Sequence, residues 1–275
     1  MRRSLRRRAA LPAPAVERRR GMRHLPGAMN KLISALLWAV IGVFVILWLP
    51  VQALIFVATA PFDPGRYTAG RWFRNAGVMA AALVPYWKFR TSGHRIPDPR
   101  RPYIAVANHE SYADIFLISH LPWEMKWLSK EGNFKIPVMG WMMRMAGDIE
   151  VYRGKAASRA QAVAQINDRL DKRVSVMIMP EGTRSRTDEL LPFRDGAFRI
   201  AIDRQLPILP MAVAGTRECM EPDSLIFRRA TAEVRVLEPI ETTGMGPEDV
   251  GALKERVRAL IVETRAQLRR ELAAR

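Results

Sequence analysis

Cysteine is nearly absent from this chain. Cys219 stands alone, so no intramolecular disulfide can form and no CxxC cluster exists, which excludes a disulfide or zinc-ribbon scaffold. Acidic residues are scarce as well: 27 Asp and Glu oppose 44 Lys and Arg, leaving +17 over 275 residues. Such a surplus calls for polyanionic partners, either nucleic acid or an anionic membrane surface. Zinc-finger, RNA-recognition and aromatic-spaced basic motifs are missing, so no specific nucleic-acid partner is expected. No internal repeat is visible. With 49% apolar and 26% charged residues, the chain is too apolar for disorder throughout and too polar for a polytopic membrane protein.

What is present is unevenly placed. Residues 1–31 hold ten basic side chains and one acid, Glu17, and read as a disordered basic arm; Met22 and Met29 offer later starts. Residues 32–60 then run 29 positions without a formal charge, beyond the roughly 18 that mark a membrane-span candidate. As one helix rising about 1.5 Å per residue the run would reach about 43 Å, against a hydrocarbon core of about 30 Å. Pro50 interrupts it, so a tilted span and a bent helical pair both fit. Residues 75–87 form a second uncharged stretch, of 13 positions, a length typical of a buried or interfacial helix. Arg66, Arg71, Arg74, Lys88 and Arg90 make the far flank basic too, which favours two membrane-associated helices with both ends cytosolic. Residues 32–87 are thus assigned to membrane anchoring, and 88–275 to a domain on the cytoplasmic face.

That domain alternates short β-rich runs with helical stretches, the pattern of an α/β fold with a mostly parallel sheet flanked by helices. Strands are expected near 88–95, 103–108, 125–130, 148–153, 175–180, 208–214 and 232–239, with the clearest helices over 156–170, 195–204 and 247–272. In the last helix Val250, Leu253, Val257, Leu260, Ile261, Thr264 and Leu268 recur at spacings of three and four, an amphipathic stripe for docking on the sheet.

Chemistry concentrates where strands end, which is where such sheets build sites. Asn108-His109-Glu110-Ser111-Tyr112-Ala113-Asp114 follows an apolar run and opens a helical stretch. Five residues on a regular helix turn about 500°, so His109 and Asp114 meet only if His109 lies in the turn before the helix. There Asp114 would accept from one ring nitrogen and leave the other free as a base. The same spacing also fits a histidine that merely caps the helix. Met177 to Ser185 is a second strand entering a tight turn, Pro180-Glu181-Gly182-Thr183-Arg184-Ser185, where Gly182 permits close backbone approach and Arg184 presents a planar fork for phosphate. Lys130 and Arg153 end two further strands. A base and several cations at one sheet edge suggest a phosphate-bearing substrate with a hydroxyl to activate.

These residues resemble the glycerolipid acyltransferases, typified by 1-acyl-sn-glycerol-3-phosphate acyltransferase. Asn108, His109 and Asp114 match the family's first block, and Pro180 to Ser185 its third, unchanged. Lys130 with Pro137, Gly140, Gly147, Ile149, Val151 and Arg153 resembles the second, and 208–215 the fourth. Met179 and Glu150 depart from the usual Phe and apolar residue. The resemblance implies direct acyl transfer from acyl-CoA or acyl carrier protein to the free hydroxyl of a membrane lipid acceptor, without metal or cofactor. It implies His109 and Asp114 as the catalytic pair, and Lys130, Arg153, Glu181, Gly182, Thr183 and Arg184 as the substrate-binding set. No Gly-x-Ser-x-Gly elbow is present, consistent with a route lacking an acyl-enzyme. The acceptor that the resemblance implies first is 1-acyl-sn-glycerol 3-phosphate, giving phosphatidic acid, with lyso-ornithine lipid and glycerol 3-phosphate as the rival acceptors.

Overall fold

In the computed structural model, residues 27–152 and 156–275 are described. The 1–26 part of the basic arm, and Arg153, lie outside them. Seven strands form: β1 (Trp87–Gly93), β2 (Ile104–Ala107), β3 (Met125–Lys130), β4 (Ile149–Val151), β5 (Ser175–Ile178), β6 (Ile208–Ala214) and β7 (Ala230–Val236). They build one sheet in the order β1-β7-β6-β2-β5-β3-β4, parallel throughout except where β7 runs against β6. The central strands β2, β5 and β6 are buried along their whole length, as strands covered on both faces require. Their side chains alternate between two apolar layers, so that Ala105, Ala107, Met177, Leu209, Met211 and Val213 face one core and Ile104, Val106, Val176, Ile178, Ile208 and Ala212 the other.

The first core is covered by α1 (Gly27–Thr59), α2 (Tyr67–Ala82) and α3 (Ala113–Ile118). The second lies under α6 (Ala156–Asp171), α7 (Gly196–Asp203) and α9 (Val250–Ala274), with a 3-10 turn at Pro247–Asp249 leading into α9. Shorter helices complete the order: α4 (Glu131–Phe134) and α5 (Met139–Ala146) between β3 and β4, and α8 (Thr216–Cys219) after β6. The α9 stripe forms as expected through Val250, Leu253, Val257, Ile261 and Leu268, with one substitution: Arg265, not Thr264, is buried beside them.

The two uncharged N-terminal stretches part company. α1 is one helix of 33 residues that continues through Pro50, so a single continuous helix forms and not a helical pair. Leu32, Leu36, Val40, Val43, Leu47, Leu54 and Val57 lie bare along it, at helical spacing. It is the one helix among the described residues long and apolar enough to cross a membrane. α2 instead starts at Tyr67 and is docked on the sheet domain, burying Ala69, Gly70, Arg74, Ala76, Ala80 and Ala81.

Candidate functional site

The parallel strands bring their C-terminal ends to one edge of the sheet, and β2, at its middle, delivers Asn108 and His109 there. Asn108 explains how β2 ends: its amide donates to Val213 O at 2.9 Å and accepts from Val213 N at 2.8 Å, replacing a backbone unit of the ladder. The chain then turns, and α3 begins four residues after His109. His109 therefore sits before the helix, and its Nδ1 lies 2.7 Å from Asp114 Oδ2. The same oxygen accepts from the backbone N–H groups of Glu110 (2.8 Å) and Ser111 (3.1 Å), while Asp114 Oδ1 accepts from Thr216 Oγ1 at 2.5 Å. Asp114 is fully buried and His109 is 18% exposed. The carboxylate is fixed by four donors and the imidazole keeps Nε2 open, without a partner among the described residues.

The turn after β5 locks onto this one. Glu181 Oε1 accepts from His109 N at 2.7 Å, Glu181 Oε2 accepts from Leu191 N at 2.8 Å, and Ser185 N donates to His109 O at 3.0 Å. Glu181, expected in the substrate-binding set, is 3% exposed and takes one backbone donor on each oxygen, so it braces the two turns. Burial raises its pKa above the ordinary carboxylate range, against the pull of those donors. Gly182 has φ 70°, a left-handed backbone that favours glycine, and the Arg194 guanidinium packs where a Cβ would stand.

Arg184 lies over the Tyr112 ring, 4.0 Å from its centre, and pairs through Nη2 with Asp223 at 3.0 Å. Its Nη1 is buried without a hydrogen-bond partner, a donor left for something else. Thr183 is exposed at the same turn. Lys130 is also exposed, at the end of β3; β5 separates β3 from β2, so Lys130 shares the edge but lies two strands from His109. Glu150, on edge strand β4, stands 4.0 Å from Arg144.

Three participants are not evident in the sequence motifs. Thr216, on Asp114, follows β6 and was signalled only by its position at a neighbouring strand end. Glu110 is buried and meets Arg265 of α9, 155 residues away. Burial, opposed by Arg265 but assisted by the Asp114 charge, pushes Glu110 up to about 7. Arg265 carried no signal in the sequence, where the stripe of α9 was placed through Thr264.

Residues 88–214 match the family model described as Acyltransferase. The chain is 34% identical over 172 residues to 1-acyl-sn-glycerol-3-phosphate acyltransferase of Saccharomyces cerevisiae, covering 60% of this chain and 56% of that one. It is 32% identical over 167 residues to the human alpha enzyme of the same name, covering 60% and 59%. The chain spans about half the length of the first curated relatives it matches. Among solved structures, the 1-acyl-sn-glycerophosphate (LPA) acyltransferase PlsC from Thermotoga maritima superposes with a TM-score of 0.69 over 88% of this chain and 98% of that one, at 22% identity. That likeness establishes the fold.

Proposed function

We propose that this protein transfers an acyl chain to the free hydroxyl of 1-acyl-sn-glycerol 3-phosphate, giving phosphatidic acid. The observation that carries the reading is the His109–Asp114 pair, 2.7 Å apart, at the middle of the sheet edge with the Arg184 fork on the adjoining turn. His109 Nε2 accepts the proton of the acceptor hydroxyl as its oxygen attacks the thioester carbonyl. A tetrahedral oxyanion forms and collapses, the carbon–sulfur bond breaks, and the leaving thiolate takes the proton back from His109. Asp114 fixes the imidazole tautomer and stabilises the transient imidazolium. The acyl group is carried by acyl-CoA or acyl carrier protein, and neither metal nor cofactor enters the step. Arg184, whose side chain is 17% exposed and pairs with Asp223, is the proposed acceptor-phosphate ligand, with Thr183 on the same turn, Lys130 at a further strand end and Arg153 as the other cation of the set.

The bare stripe of α1 supports membrane association, where the lipid acceptor lives. Basic residues on both flanks of the apolar run favour placing the catalytic edge on the cytoplasmic face, against an anionic leaflet. The purified chain, given labelled acyl-CoA or acyl carrier protein and a panel of lysolipids in detergent, should acylate lysophosphatidic acid in preference to lyso-ornithine lipid or glycerol 3-phosphate. Preference for an acceptor without phosphate would overturn the substrate assignment, and no transfer to any lysolipid would overturn the activity.

A further inference from the structure

Beside His109 lies a buried ion pair that the proposed reaction does not use. Glu110 is 3% exposed and its Oε1 accepts from Arg265 Nε; Arg265, 8% exposed, also donates through Nη1 to the Asp188 carbonyl at 2.6 Å. One guanidinium from the last helix therefore joins the turn after β2 to the loop after β5. Glu110 Oε2 stands 3.4 Å from Thr216 Oγ1, whose stronger bond goes to Asp114 Oδ1. The charged and titratable groups around Glu110 are Asp114 on α3, Glu218 and Cys219 on α8, and Arg265 and Arg269 on α9. Asp114 and Glu218 oppose its ionisation, and Arg269 is taken up by Asp188 (3.1 Å) and Glu218 (3.8 Å). Arg265 is left as the cation in contact with Glu110.

We propose that Arg265 is a positioning residue: by pairing with Glu110 and clasping the Asp188 carbonyl, it holds the two turns in the register in which Asp114 meets His109. A buried carboxylate that loses its counter-charge takes up a proton. A neutral Glu110 holds the guanidinium less tightly, and the clasp between the turn after β2 and the loop after β5 loosens. Glu110 borders Asp114 on the chain side and Thr216 on the other, so its charge state reaches His109 through both.

The inference rests on His109 as the base, and His109→Ala is assayed alongside; turnover retained there would remove that reading whatever Arg265 does. Arg265→Met should lower kcat about tenfold or more at pH 7 with a smaller change in acceptor KM. Its acid limb of kcat against pH should move to higher pH, because Glu110 then holds its proton to higher pH. Arg265→Lys keeps the charge and should leave that limb in place, with a smaller fall in kcat. In a Glu110→Gln background the Arg265→Met change should cost less than about threefold, since no charge remains to be held. An unchanged kcat in Arg265→Met would overturn the proposal, as would a loss equal at every pH and undiminished in the Glu110→Gln background. If Arg265→Met alone does not fold, Glu110→Gln with and without it decides by the same criterion.

Discussion

At the scale of single residues, the site separates groups that meet substrate from groups that hold them. His109 offers Nε2 outward, whereas Asp114 is sealed among four donors. His109→Ala should therefore lower acyl transfer about 10²- to 10⁴-fold with the melting temperature little changed, as loss of a general base does. Asp114→Asn should cost less in transfer, because a base survives, and more in stability, because Asn offers donors to groups that already donate; a circular-dichroism melt beside each assay checks both rankings. Arg184 carries a different signature. Its alanine variant should lose roughly 10- to 150-fold in kcat/KM for lysophosphatidic acid, the equivalent of one charge-assisted bond, with donor KM nearly unchanged. Lysine should recover part of that loss, and an equal defect toward lyso-ornithine lipid would mean that Arg184 is structural.

At the scale of elements, α2 shows how charge can dock a helix. Arg74 pairs with Asp148 and lies 3.7 Å from Glu124, while Lys126, with no exposed surface, donates to Glu124 at 3.0 Å and to the Arg66 and Ala146 carbonyls at 2.7 Å each. Burial lowers the pKa of Lys126 and raises that of Glu124, each opposed by the other. Gly70 leaves room for this cluster: a Cβ there would fall inside van der Waals distance of Glu124 Oε1 and Lys126 Nζ. Gly70→Ala gains up to about 1 kcal/mol of helix propensity, but overpacking costs about 1–3 kcal/mol and neither buried charge has solvent to move into. The melting temperature should fall by a few degrees, with kcat preserved in the fraction that folds. α1 behaves otherwise. It is tied to the domain at Phe227 N–Ser34 Oγ (3.1 Å), Trp38–Leu225 O (2.8 Å) and Gln52–Ala69 O (3.0 Å), and leaves its outer stripe bare. Removing residues 1–28 should spare activity, whereas removing 1–60 should aggregate the protein or release it from vesicles in a flotation assay. A soluble, monodisperse and fully active 61–275 chain would contradict the anchor.

For the whole molecule, stability should pass through a maximum near pH 5. Glu110 is raised from 4.5 to about 7, so between those values the folded chain binds more protons than the unfolded one and stability falls as pH rises. At about 1.36 kcal/mol per unit the effect is roughly 3 kcal/mol. Glu124 and Glu181, raised by burial, act in the same direction. Asp188, Asp195 and Glu271 are lowered by hydrogen bonds from Arg269, Lys254 and Arg235; their contribution is present above the unfolded pKa and is lost as pH falls through the folded value. Melting temperatures in detergent should rise as pH is lowered from 7.5 to about 5 and drop below about 4. A steady rise from pH 5 to 7.5 would show that Glu110 does not titrate as described.

The sequence alone determined the seven strands found among the described residues, because short β-rich runs bounded by turn residues are local signals, and it determined the two motif turns, because Asn108-His109-x₄-Asp114 and Pro180 to Ser185 are contiguous. It also marked the long apolar run, through the plain absence of charge. Tertiary structure decided which charges are buried. Arg74 and Lys126 read as ordinary basic residues until β3, α2 and the end of α5 close around them. Arg265 lies outside the apolar stripe read from the sequence until Glu110 meets it, and the bracing role of Glu181 emerges only when two backbone N–H groups reach its oxygens. For Arg74, Arg265 and the His109 end of Glu181 the partner lies on a different element, 50 or more residues away; Glu124 is only two residues from Lys126, but α2 and the end of α5 are what bury the pair. Whether a charge is solvated or paired depends on that partner, and no local pattern encodes it.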